Sequence, residues 1–137
     1  MNPIVNIKTL RYDSPQVLAT VLDDLFGSWG WVYIGRGTAR YGLPHSPLAN
    51  PYSHQPHANA LYVPNRNAAI EHYRQWLWHR IQAEDAAIRG ALAAIDPDTV
   101  LVCWCCPLPC HAEVVARAAG CWHTCKNRSR LSPVARC

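Results

Sequence analysis

The order of elements predicts a small single α/β domain. Its short, mainly parallel sheet is Rossmann-like, with flanking helices and a long loop after the first clear strand. Three observations point there. Two β-rich runs, Trp31–Ile34 and Thr99–Cys105, are separated by helical stretches, which is the alternation that parallel sheets require. The second run is apolar without interruption, as expected for a strand covered on both faces. Half of the 137 residues are hydrophobic and 16% are charged, enough apolar material for a packed core.

Along the chain, Ile4 to Leu10 offers a short strand. Ser14-Pro15 followed by Val17, Leu18, Val21, Leu22 and Leu25 reads as an amphipathic helix that Gly27 ends. Trp31–Ile34 follows as a strand stopped by Gly35. Residues 36–65 then carry Pro44, Pro47, Pro51, Pro56 and Pro64 with little periodicity, a loop far longer than ordinary connections. Leu61-Tyr62-Val63 can add a short strand within it. Asn67 is the expected cap of a long helix, with Ile70, Tyr73, Trp76, Leu77 and Ile81 at helical spacing. A second helical stretch runs from Glu84 to Ile95, divided from the first near Gln82-Ala83 or bent at Gly90. After the Asp96-Pro97-Asp98 turn comes the Thr99–Cys105 strand, and Pro107-Leu108-Pro109 breaks it. His111 to Gly120 completes the series as a helix that the glycine stops.

Charge and cysteine distribution narrow the function classes. Residues 1–125 carry nine residues of each sign, so the net +4 resides in Lys126, Arg128, Arg130 and Arg136. Residues 1–125 are therefore read as the domain and 126–137 as a flexible basic tail. Such a tail is a weak candidate for nucleic-acid contact through counterion release. No apolar run approaches the ~18 residues of a membrane span. Met1 to Leu10 lacks the pattern of a signal peptide, which predicts a cytoplasmic protein. All seven cysteines lie between Cys103 and Cys137, an odd and local cluster unlike a secreted disulfide scaffold. The expectation is reduced thiols that serve a reaction, a metal or the core.

The richest segment is Cys103-Trp104-Cys105-Cys106-Pro107-Leu108-Pro109-Cys110-His111. Strand alternation puts Cys103 and Cys105 on one face and Trp104 on the other. Cys110 falls where a helix begins, and the helix dipole favours its thiolate there. His111 beside it can act as base, proton carrier or metal ligand. Cys103, Cys105, Cys110 and His111 are also candidate ligands of zinc, or of an iron–sulfur cluster, although their spacing is not that of Cys-x2-Cys pairs. The plainer alternative makes Cys103 a small core residue. Arg36, flanked by Gly35 and Gly37 after a strand, can clamp a phosphate or carboxylate, or simply be a solvated turn residue. Asn50 offers an amide to a ligand. His54 and His57 can ligate metal or be solvated. Tyr73 reads as core, and Arg74 can reach a crevice or pair with Glu71 three residues before it.

Tyr33-Ile34-Gly35-Arg36, Asn50-Pro51-Tyr52, Tyr73-Arg74-Gln75-Trp76-Leu77 and the Cys103-Trp104-Cys105 to Pro109-Cys110-His111-Ala112-Glu113-Val114 segment occur in a familiar order. The chain resembles, over about residues 31–120, the bacterial and phage family known as domain of unknown function 4326. That family usually has glycine where Ala49 stands, phenylalanine at Tyr52 and Gly-Asp at Ala112-Glu113. Cys106, the N-terminal helix and the residues after Gly120 are additions to its pattern. The resemblance implies that Arg36, Asn50, Tyr73, Arg74, Cys105, Cys110 and His111 form one site. It implies no reaction.

These readings converge on a small enzyme acting on a nucleotide, nucleoside or nucleic-acid base. Cys110 or Cys105 would supply the thiol, His111 the proton transfer, and Arg36, Asn50, Tyr73 and Arg74 the ligand contacts. The rival is a non-enzymatic zinc or iron–sulfur module that binds a protein or nucleic-acid partner. A third reading makes the cysteines core filler in a structural protein.

Overall fold

The computed structural model of the chain describes residues 2–56, 60–104, 108 and 110–126, with residues 125 and 126 by backbone alone. Three strands, β1 (Ile4–Asn6), β2 (Trp31–Tyr33) and β5 (Val100–Cys103), form a parallel sheet in the order β1-β5-β2. Ile4 pairs with Leu101 on one side of β5, and Tyr33 pairs with Val102 on the other. The small α/β domain is therefore the observed fold. Two further short strands, β3 (Tyr52–Ser53) and β4 (Leu61–Tyr62), pair in parallel inside the long loop. That loop also holds a 3-10 turn at Ala39–Tyr41. β4 lies where the apolar Leu61-Tyr62-Val63 run suggests; β3, only two residues long, has no sequence signal.

All four residues of β5 are buried, as their uninterrupted apolar run requires. Their side chains alternate between two cores. Val100 and Val102 join Ile7, Leu18, Leu22 and Tyr33 beneath α1 (Leu18–Phe26). Leu101 and Cys103 face the opposite core, built by α2 (Arg66–Gln82), α3 (Ala86–Ala93) and α4 (His111–Lys126). The result is three layers, with the sheet in the middle. Asn2 fastens the start of β1, its side-chain amide donating to the carbonyls of Asp96 (2.6 Å) and Thr99 (3.0 Å).

Several boundaries differ from expectation for local reasons. Residues Pro15–Val17 form a 3-10 turn before α1, and Ser14 makes no side-chain cap there. Asn65 rather than Asn67 caps α2, its side-chain oxygen accepting from the Ala68 amide at 2.8 Å. The break between α2 and α3 lies at Ala83–Asp85: Glu84 takes a left-handed φ of 60°, and Asp85 caps α3. Gly90 stays helical. α4 runs past Gly120 to Lys126, because a glycine stops a helix only where the chain turns left-handed after it. Residues 127–137 of the basic tail lie outside the described residues.

Candidate functional site

β2 and β5 are parallel neighbours, so their carboxyl ends open on the same edge of the sheet. Chain leaving β2 and chain entering α4 meet there. The His111 Nε2 lies 2.8 Å from the Ile34 carbonyl oxygen. A carbonyl only accepts, so Nε2 carries the proton and donates. Nδ1 of a neutral ring is then an acceptor. It lies 3.6 Å from Cys110 Sγ, within reach of the thiol proton. The Ala112 backbone amide donates to the same sulfur at 3.5 Å. The backbone thus fixes one tautomer and points a thiol at its basic nitrogen.

Burial sets the protonation state. Desolvation is the main cause lowering the His111 pKa from 6.5 to about 4; the Arg36 charge lowers it further, while the hydrogen bond to Ile34 opposes both. The resting ring is neutral at physiological pH. Cys110 is 4% exposed, and neither it nor Cys103 is disulfide-bonded. The imidazole beside the sulfur therefore rests as a neutral base rather than a preformed imidazolium.

Tyr73 braces this pair. It is fully buried on α2, and its ring stands edge-on to His111 with centroids 4.9 Å apart. Its hydroxyl donates to the Leu48 carbonyl at 2.7 Å, which ties the long loop to α2. Burial, and secondarily the neighbouring Cys110, pushes the phenol pKa up, so this donor keeps its proton. Asn50 continues the tie: its side-chain nitrogen donates to the Ala69 carbonyl at 3.3 Å, and its side-chain oxygen accepts from the Tyr52 amide at 2.9 Å. Arg36 directs one guanidinium nitrogen to the carbonyls of Asn50 (2.7 Å) and Tyr52 (2.9 Å). Arg36, Asn50, Tyr73, Cys110 and His111 are thus brought into one connected network, in which the first two hold the loop's own backbone.

Other candidates sit elsewhere. Arg74 is on the outer side of α2, 3.4 Å from Glu71, with more than half of each side chain exposed. Cys103 is buried in the core cluster that also includes Cys110. Cys105 and His57 lie outside the described residues. Among the described residues, no group of three or more His, Cys, Asp or Glu side chains converges as a metal site. Cys121, in the second half of α4, is disulfide-bonded, which corrects the expectation of reduced thiols throughout. Pairing depends on Cβ approach, and cysteine count and spacing do not reveal it.

Some contributors carried no readable sign. The Ile34 carbonyl that fixes His111 is backbone and has no residue signature. The turn after it depends on Tyr33, whose hydroxyl donates to the Arg36 carbonyl at 2.6 Å and accepts from Trp104 Nε1 at 2.9 Å. A side chain at Gly35 would collide with the Tyr33 ring, so the close approach requires glycine.

The family model for Domain of unknown function (DUF4326) matches residues 27–120. The chain belongs to this family. The matched DUF4326 segment contains β2, the long loop, α2, α3, β5 and the first ten residues of α4, and so encloses the whole Cys110–His111 network. β1 and α1 lie outside it. No curated protein and no solved structure matches the chain.

Proposed function

We propose that this DUF4326 chain is a small thiol-dependent enzyme acting on a nucleotide, nucleoside or nucleic-acid base, with Cys110 as nucleophile and His111 as its base. One observation carries the reading: Cys110 Sγ, the His111 ring and the Ile34 carbonyl form one hydrogen-bonding chain, as nucleophile, base and group that orients the base. As sulfur attacks an electrophilic carbon, Nδ1 takes the thiol proton. It returns that proton to the departing group as the carbon–sulfur bond completes. Water then releases the sulfur-bound fragment by the reverse roles, with His111 again the base. The positive end of the α4 dipole favours an anion near the sulfur. The nucleotide-like class is supported by the sheet, since ligands of open parallel sheets bind beyond the carboxyl ends of the strands. Arg36 and Asn50 hold the loop that would cover the ligand.

A second reading uses the same observation. A histidine that gives its outer N–H to a backbone carbonyl and stays neutral is prepared to bind a metal through its other nitrogen. Cys110 would join it in holding zinc, with Cys103, Cys105 or Cys106 completing the set, and the chain would then be a binding module.

Cys110→Ser separates the two. The enzyme reading expects loss of turnover in a screen of nucleotides, nucleosides and bases, with melting temperature nearly unchanged. Elemental analysis of untagged, anaerobically purified protein supplies the other arm. About one zinc per chain, lost together with the fold in Cys110→Ser, transfers the weight to the metal module.

A further inference from the structure

Away from the Cys110–His111 pair, α2 and α4 line an open groove of about 1060 Å³. Its size is that of ordinary small-molecule sites, and its surface is mostly apolar. The floor is aliphatic, with Leu77 and Ile81 from α2 and Val114 and Ala118 from α4. Trp78 and Trp122 supply aromatic walls from the two helices, and Trp78 is 38% exposed. The lining also carries two guanidinium groups, Arg74 and Arg117, one on each helix, against a single carboxylate, Glu113.

The charges are available to a ligand. Glu113 and Arg117 stand one turn apart on α4 yet form no ion pair among the described residues, and both are exposed. Among the described residues, Arg74 pairs with Glu71, at 3.4 Å in solvent, a contact of small energy that a better anion displaces. Arginine on both sides of an apolar trough fits an anionic head with a hydrocarbon or aromatic body, since guanidinium binds carboxylate bidentately while the body leaves water.

We infer that the α2–α4 groove is a binding site for an amphipathic carboxylate, held by Arg74 and Arg117 at its head and by the aliphatic floor along its body. The site goes beyond the proposed reaction and does not use Cys110 or His111.

Titration of the full chain with laurate and with 1-dodecanol, followed by tryptophan fluorescence and calorimetry, tests this. Laurate is expected to bind saturably at one per chain below its micellar concentration, with dodecanol at least about tenfold weaker. Reversing both rim charges, Arg74→Glu with Arg117→Glu, should weaken laurate by about tenfold or more, and Ala118→Trp should abolish binding by filling the floor. Because the two arginines are exposed, their variant keeps the test open should Ala118→Trp fail to fold. Cys110→Ser should bind laurate as the parent does, so failure of the catalytic reading leaves this one standing. Equal binding of laurate and dodecanol, no saturable binding, or an unaffected charge-reversed variant overturns it. So does a dimer in sedimentation that Ala118→Trp breaks, since a second copy would then fill the groove.

Discussion

Tyr73 and Arg74 are neighbours on α2, yet they serve two different regions. Tyr73 faces inward, fully buried, with its ring against His111 and its hydroxyl on the long loop. Arg74 faces the α2–α4 groove, exposed and paired with Glu71. One side of the helix is hydrogen-bonded and closed, and the other is apolar, open and rimmed by charge. The difference shows that adjacency in a sequence motif does not make a common site on a helix, where successive residues are turned by about 100°.

The comparison breaks hardest at Tyr73. Tyr73→Ala removes a buried ring and leaves the Leu48 carbonyl unsatisfied, and should cost about 3–5 kcal/mol in denaturant unfolding. A loss below ~1 kcal/mol would mean that the inner region does not depend on this brace.

His111 makes the inner region sensitive to acid. Its pKa is lowered from 6.5 to about 4, so the unfolded chain binds the proton more readily than the folded one. Its contribution is fully present above pH 6.5 and falls away as pH drops toward 4, on the order of 3 kcal/mol in total. His111→Gln should flatten the stability profile between pH 6.5 and 4.5. An unchanged slope would show that other groups set it.

Gly35 tests the approach between the two strand ends. Gly35→Ala must displace the Tyr33 ring, which holds both Arg36 and Trp104, and should cost about 1–3 kcal/mol. Amide exchange at residues 34–36 would report the loosened turn. The smallest effect belongs to the outer region: Arg74→Ala should change stability by less than about 0.5 kcal/mol. A larger loss would give Arg74 a structural role that its exposure does not suggest.

The central strand and the long helix were legible because an unbroken apolar run and a helical stripe each bury a continuous surface. Cys110 and His111 were legible because a breaker, Pro109, precedes them and a helix follows. Their partners were not. The carbonyl of Ile34 is backbone, and the side chains of Asn50 and Arg36, whose chemistry equally suits a ligand, also reach carbonyls and amides of the chain itself. Side-chain chemistry names what a residue can bond, and only the fold decides whether a backbone group is nearer than a ligand. The end of α4 was misplaced because Gly120 costs a helix interior only about 1 kcal/mol, which continued packing offsets. The groove had no sequence sign beyond the stripe of α2, since it depends on how far apart two helices sit.

The proposed chemistry requires a neutral His111 whose Nε2–H is held by Ile34 and whose Nδ1 faces the Cys110 sulfur. Long-range nitrogen–proton NMR of histidine-labelled protein reads that state directly. The expected spectrum shows the Nε2-protonated tautomer from pH 8 to 5, with protonation only near pH 4. An Nδ1-protonated ring, or titration near 6.5, would contradict it.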